Sequence, residues 1–140
     1  MRRFACAAAF LLAACSDPLS SGRVQVRAAD SYYGTIDNTK PVIVRYTVTN
    51  GSDETVALDA CGTRIDAHPE RKDGGSWTPD GGMACLAVVT PPIQVAPGAT
   101  VTDSTEIVGW GTWRLRIRAS AGGTAKDVVS QTFESGYPGG

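Results

Sequence analysis

The chain has little with which to do chemistry. Its 140 residues include a single histidine, His68. There is no Gly-x-Ser-x-Gly elbow, no His-Glu-x-x-His and no glycine-rich phosphate loop, which excludes the commonest hydrolase, metalloprotease and nucleotide-binding frames. Charge is also scarce: 13 basic residues stand against 14 acidic ones, and charged residues make up only 19%. A chain of that balance lacks the basic footprint that nucleic-acid phosphates demand, so no nucleic-acid partner is expected. The longest apolar run, 4–14, has eleven residues, well short of the about 20 needed for a membrane-spanning helix. No repeat of 20–50 residues is present, and no helical periodicity persists long enough to define a helix.

That short apolar run is informative. Arg2 and Arg3 precede it, and it ends in Leu12-Ala13-Ala14-Cys15. A positive start, a short apolar stretch and small residues before a cut site are the marks of a secretory signal. The Leu-Ala-Ala-Cys site resembles the lipobox of bacterial lipoproteins. The resemblance implies a signal peptide over 1–14, acylation of Cys15 as the mature N-terminus, and a lipidated tether over 15–22. It places the protein in the bacterial cell envelope, with the membrane as partner through the lipid. Ser16 by analogy favours an outer membrane, periplasmic side or surface, where the cell has one. Loss of Arg2 and Arg3 would leave 11 basic residues against 14 acidic, a formal charge of −3.

Of the four cysteines, the lipobox resemblance implies that Cys6 leaves with the signal and that Cys15 takes the lipid. Cys61 and Cys85 remain as an even pair in an oxidising compartment, for which a disulfide is the default. Free thiols or half a zinc site are the alternative, but the only histidine, His68, supplies few further ligands.

From Arg23 onward, apolar and polar residues alternate between turn signals, the pattern of an antiparallel all-β domain. Val24, Val26 and Ala28 make a first strand. The segment 32–41 reads as a loop or irregular edge. Val42, Val44, Tyr46 and Val48 then share one face of the clearest strand, followed by Asn50-Gly51, a strong hairpin signal. Val56, Leu58 and Ala60 resume the alternation. Further strands are expected over 64–67, 85–89, 93–95, 100–108, 113–120 and 124–133, with turns at Gly74-Gly75, Pro97-Gly98 and Gly122-Gly123. Seven to nine short strands with turns every 8–12 residues predict a two-sheet antiparallel sandwich over 23–134 and a frayed tail over 135–140.

The order of turn features adds a family resemblance. Asn50-Gly51-Ser52-Asp53-Glu54-Thr55-Val56-Ala57-Leu58 after an alternating strand, Asp73-Gly74 before Trp77, and Ala96-Pro97-Gly98 resemble bacterial intracellular proteinase inhibitor-like domains. Over 42–105 this implies an immunoglobulin-like sandwich and, as an alternative function, inhibition of a proteinase. The chain departs from that family in its export signal and its Cys61/Cys85 pair.

The remaining candidates are weak as catalysts. Gly109-Trp110-Gly111 begins like a dinucleotide fingerprint, but Arg114 occupies the third glycine position and no helix follows. His68, beside Pro69 in a charged stretch, reads as a solvated surface residue. Asp59, Asp66, Glu70, Asp73 and Asp80 lack calcium-loop spacing and suit solvated turns. Two features are suited to binding. Arg114, Arg116 and Arg118 alternate with Trp113, Leu115 and Ile117, giving either a basic stripe for an anionic partner or a solvated sheet face. Trp77 and Trp110 lie among glycines, placed either to stack on a sugar or protein partner or to cap the core. Trp113, Tyr46 and Phe133 are core residues by register. The expected protein is a non-enzymatic binding or structural module without cofactor or metal, its partner an envelope protein or polysaccharide; a proteinase-inhibitor-like domain is the alternative, and an enzyme of unrecognised type ranks behind both.

Overall fold

Side chains of an extended chain point alternately to opposite faces, so the alternation just described becomes strands with one buried side. The computed structural model describes residues 19, 23–82, 84–85 and 90–139. Thirteen strands and no helix occur among them: β1 (Val24–Ala28), β2 (Tyr32–Gly34), β3 (Pro41–Asn50), β4 (Val56–Leu58), β5 (Ala60–Cys61), β6 (Arg64–Ile65), β7 (Ala67–Asp73), β8 (Ser76–Pro79), β9 (Ile93–Val95), β10 (Thr100–Val108), β11 (Gly111–Ala121), β12 (Thr124–Val129) and β13 (Phe133–Gly136).

One sheet has the order β1-β3-β10. The other is built around β11, which pairs with β12 and β13 on one edge and with β4 and β7 on the other. β9 extends it beyond β4, β8 beyond β7, and β2 beyond β13. The β13–β2 pair is parallel; every other pairing is antiparallel. The domain is an all-β immunoglobulin-like two-sheet sandwich. Val44, Tyr46, Val48 and Ile107 of the first sheet face Leu58, Trp113, Leu115, Ile117, Ala119 and Phe133 of the second, and all of them are buried.

The number of strands exceeds the expected seven to nine because two long strands are interrupted. β4 and β7 pair with the same edge of β11, and β12 and β13 with the other. With each of those counted as one line of chain, nine lines remain beside the small β5–β6 hairpin. That hairpin is an excursion from the β4–β7 line. Asp59 N donates to Arg118 O and Asp66 N to Asp59 O, closing its base.

Several turns are as expected. Gly122 and Gly123, with φ of 55° and 79°, join β11 to β12 in a two-residue turn that only glycine enters without strain. Asn50-Gly51 is a different matter. It does not make a hairpin: β3 lies in one sheet and β4 in the other, so the chain changes layer here. Asn50 keeps an ordinary backbone, and its buried side chain does the work. Its Nδ2 donates to Glu54 O and Val95 O, while its Oδ1 accepts from Ser52 N and Ser52 Oγ.

Other boundaries move. His68 and Pro69 lie in β7 rather than a loop, and Trp77 lies in β8. Ser135 and Gly136 belong to β13, Ser135 being buried, so they are not tail. Leu19, expected in the tether, is buried in the core cluster. The strand expected over 85–89 is not seen at Cys85, which is exposed coil; 86–89 lie outside the described residues, as do the signal 1–14 and Cys15.

The sandwich has two distinct ends. β3 spans ten residues, or about 30 Å at ~3.3 Å per residue. At one end lie Arg23, Asn50, Gly98 and the Gly122-Gly123 turn, where the chain leads into β1. At the other lie Pro41, Val108, Gly111 and Ser135.

Candidate functional site

The arginine stripe is where its alternation put it, on the outward face of β11, but it is not free. Its neighbours β7 and β12 bring carboxylates into register. Arg114 Nε donates to Glu70 Oε2 at 2.7 Å and Arg116 Nε to Glu70 Oε1 at 2.8 Å. Asp127 Oδ2 and Oδ1 accept from Arg116 at 3.2 Å and Arg118 at 3.4 Å. Glu70 is nearly buried, its side chain only 7% exposed. Burial pushes its carboxyl up, and the two guanidinium groups pull harder in the opposite direction, so it titrates below the ordinary range. The Glu70 hydrogen bond likewise holds the Arg116 proton more firmly. The face is therefore a ladder of alternating sign, and Arg118, half exposed, is its most open cation. His68 sits opposite Arg116 across the β7–β11 pair and its Nε2 lies 3.2 Å from Asp66 Oδ2.

The two candidate tryptophans separate. Trp77 in β8 is half-buried, and the Arg114 guanidinium lies 4.4 Å from the centre of its ring. That cation–π contact ties Trp77 to the ladder, where it shields an ion pair. Trp110 projects from the corner between β10 and β11 and is 42% exposed. It is not alone. Tyr137 packs edge-on against it with centroids 6.4 Å apart, and Tyr32 donates its hydroxyl to Tyr137 O at 2.6 Å. All three rings are exposed, at the end of the sandwich remote from Arg23.

This aromatic end is rigidly framed. Gly109 and Gly111 adopt φ of 102° and 143°, a backbone conformation that favours glycine, and the stem of Arg71 packs against Gly111. Ser135 Oγ donates to Gly109 O at 2.6 Å and accepts from the buried Trp113 Nε1 at 3.0 Å. The corner that carries Trp110 is thus bonded to the core. The ring of Tyr32 lies against Gly136. Tyr32 and Tyr137 escaped sequence reasoning because they fell in segments expected to be irregular; the spacing of aromatics around Gly34 and Gly136 was the available signal.

A third feature surrounds the cysteines. Cys61 and Cys85 form a disulfide, with Cα atoms 5.5 Å apart, that ties the β5–β6 hairpin to the segment after β8. On its other side the hairpin grips the outer edge of β10. Arg64 donates to Asp103 Oδ1 from Nε and Nη2, at 3.0 and 2.8 Å, and also to Ser104 O. Ile65 N and Ser104 N complete the Asp103 carboxylate. Beside this clamp is a shallow groove of about 240 Å³ lined by Ile43, Arg64, Gly82, Ser104, Thr105 and Glu106. The Tyr46 hydroxyl, buried below, has no hydrogen-bond partner, and burial with the nearby Asp103 charge pushes its ionisation upward. Among the described residues no three His, Cys, Asp or Glu side chains are grouped to hold a metal ion.

No protein-family model matches the chain, and no curated protein matches it. Among solved structures it is similar to the ASH/PapD-like domain of human CEP192 (PapD-like domain 7), at 11% identity and a TM-score of 0.48, covering 96% of this chain and 97% of that one. It is also similar to Northeast Structural Genomics Consortium target SoR45, at 16% identity and a TM-score of 0.43, covering 83% of this chain and 85% of that one. Both are likenesses of overall fold and bring no activity with them.

Proposed function

We propose that this protein is a lipid-anchored, non-enzymatic binding module of the bacterial cell envelope, and that it binds through its aromatic end. The observation that carries this reading is a contrast between its two candidate surfaces. The arginine ladder satisfies its own charges through Glu70 and Asp127. The rings of Tyr32, Trp110 and Tyr137 are held by a bonded frame and yet face solvent. Large rings held in place at a surface lose little entropy on binding, which favours recognition.

The anchor rests on the lipobox resemblance at Leu12 to Cys15. Leu19 adds a geometric consequence: only three residues separate it from Cys15, so a lipid on Cys15 would hold the core within about 14 Å of the bilayer. Stable attachment would follow from the two or three acyl chains that the resemblance implies, since one chain binds only marginally. Mass spectrometry of the mature N-terminus is expected to show an acylated Cys15, and Cys15→Ala to abolish the modification. An unmodified Cys15 in the mature protein would remove the anchor. The proteinase inhibitor-like resemblance remains one of turn sequence, and no surface of the domain favours it over the binding reading.

A further inference from the structure

We infer that the aromatic end takes the sugar rings of an envelope polysaccharide, a ligand class that rests on the binding reading above and makes it specific. Three observations converge. The first is chemistry: the negative faces of Trp and Tyr rings attract the partly positive C–H groups on the apolar face of a pyranose, in the way they attract aromatic edges and cations. Trp110 and Tyr137, their planes inclined at 72°, offer two differently oriented ring surfaces, and Tyr32 is bonded to the backbone of Tyr137 beside them.

The second is size. Tyr32, Trp110 and Tyr137 are 47%, 42% and 57% exposed, which amounts to about 300 Å² for rings of this kind. A protein partner of ordinary stability covers about 800 Å² on each side. The three rings themselves are the size of one or two sugar rings, and a protein partner would have to cover the polar surface around them as well.

The third is position. β1 begins at the end bearing Arg23, and the three rings occupy the other end, about 30 Å along β3. The rings therefore stand at the end opposite the one where β1, the first strand after the proposed anchor, begins. The cations nearby are already paired, Arg71 beside the Trp110 corner with Asp80 and the ladder arginines with Glu70 and Asp127, so binding should not depend on ionic attraction.

The test uses the full mature chain, purified from membranes in detergent, with two probes: peptidoglycan sacculi stripped of protein, and chitotetraose. The wild type is expected to sediment with the sacculi equally at 50 and 500 mM salt, and its tryptophan fluorescence to shift with chitotetraose. Trp110→Ala and Tyr137→Ala should each weaken sedimentation at least tenfold and Trp110→Ala should abolish the shift, while Trp110→Phe, which keeps a ring, should restore most of the binding. Melting temperatures measured alongside should be nearly equal, which separates lost contact from lost fold. Binding that survives Trp110→Ala, or that high salt abolishes, overturns the inference. Binding to crude sacculi that vanishes once they are stripped of protein overturns it in favour of a protein partner. An acylated chain that binds neither probe refutes the sugar ligand and leaves the anchor standing, whereas a chain that binds sugar without acylation does the reverse.

Discussion

Replacing Arg114 and Arg116 together with Gln should destabilise the domain, although both side chains lie on the outward face of a sheet. Each donates to a different oxygen of Glu70, and Glu70 is the more buried partner, 7% exposed against 25% and 30% for the arginines. The double change removes both guanidinium groups and leaves that carboxylate desolvated. Breaking a buried pair from one side costs about 3–5 kcal/mol. The arginines are partly screened by solvent, which brings the expectation at pH 7 down to about 2–3 kcal/mol. Loss of the ring contact between Arg114 and Trp77 adds about 0.5–1 kcal/mol. With a urea dependence of about 1–3 kcal/mol/M, the unfolding midpoint should fall by about 1–2 M.

The pH dependence has a definite sign. In the wild type Glu70 titrates below its ordinary 4.5, so its contribution is full above that value and is lost as the pH falls through the lower folded value. In the variant burial acts without the guanidinium groups, so the carboxyl rises above its ordinary value and its penalty is relieved by acid. The gap between the two proteins should therefore narrow from pH 7 to pH 4. Adding Glu70→Gln to the double variant should recover part of the loss at pH 7. Urea titrations followed by tryptophan fluorescence check all three statements. A difference under 0.5 kcal/mol at pH 7, or one that does not change with pH, would refute the ladder as described.

Asn50→Ala should cost about 2–4 kcal/mol, because Glu54 O, Val95 O and Ser52 N lose their buried partner together; a urea midpoint within error of wild type would refute this. Reduction of the Cys61–Cys85 disulfide, whose ends are 24 residues apart, should lower stability by about 3 kcal/mol on the chain-entropy model. Thermal melts with and without reductant measure that loss, and non-reducing peptide mapping should find the bond directly.

The core was legible because alternation encodes it. Val44, Tyr46 and Val48, and Trp113, Leu115 and Ile117, repeat every second residue and fall inward as the pleat requires. Glycine turns were legible where positive φ decides, as at Gly122-Gly123. Asn50-Gly51 misled because a turn dipeptide does not say whether the chain folds back in its own sheet or crosses to the other; the answer lay in Asn50's amide, a tertiary matter. The arginine stripe was visible, but its neutralisation was not, since pairing β7 and β12 with β11 is what brings Glu70 and Asp127 alongside. The aromatic end was half legible: Trp110 stood out among glycines, while Tyr137 joins it through the β11–β13 pair and Tyr32 through the parallel β2–β13 pair.

The clamp on β10 bears on how copies of the protein tolerate one another. β10 is the outer strand of its sheet, and nine residues of open edge would offer a template for another chain's strand. Arg64 occupies Ser104 O, and Asp103 takes the Ser104 amide, so the middle of that edge is spoken for by the molecule itself. Under the proposed anchor, copies share a plane and meet far more often than in free solution. A disulfide-tethered hairpin at that edge would then leave a neighbouring copy less strand to pair with, which matters most where copies are dense at a surface.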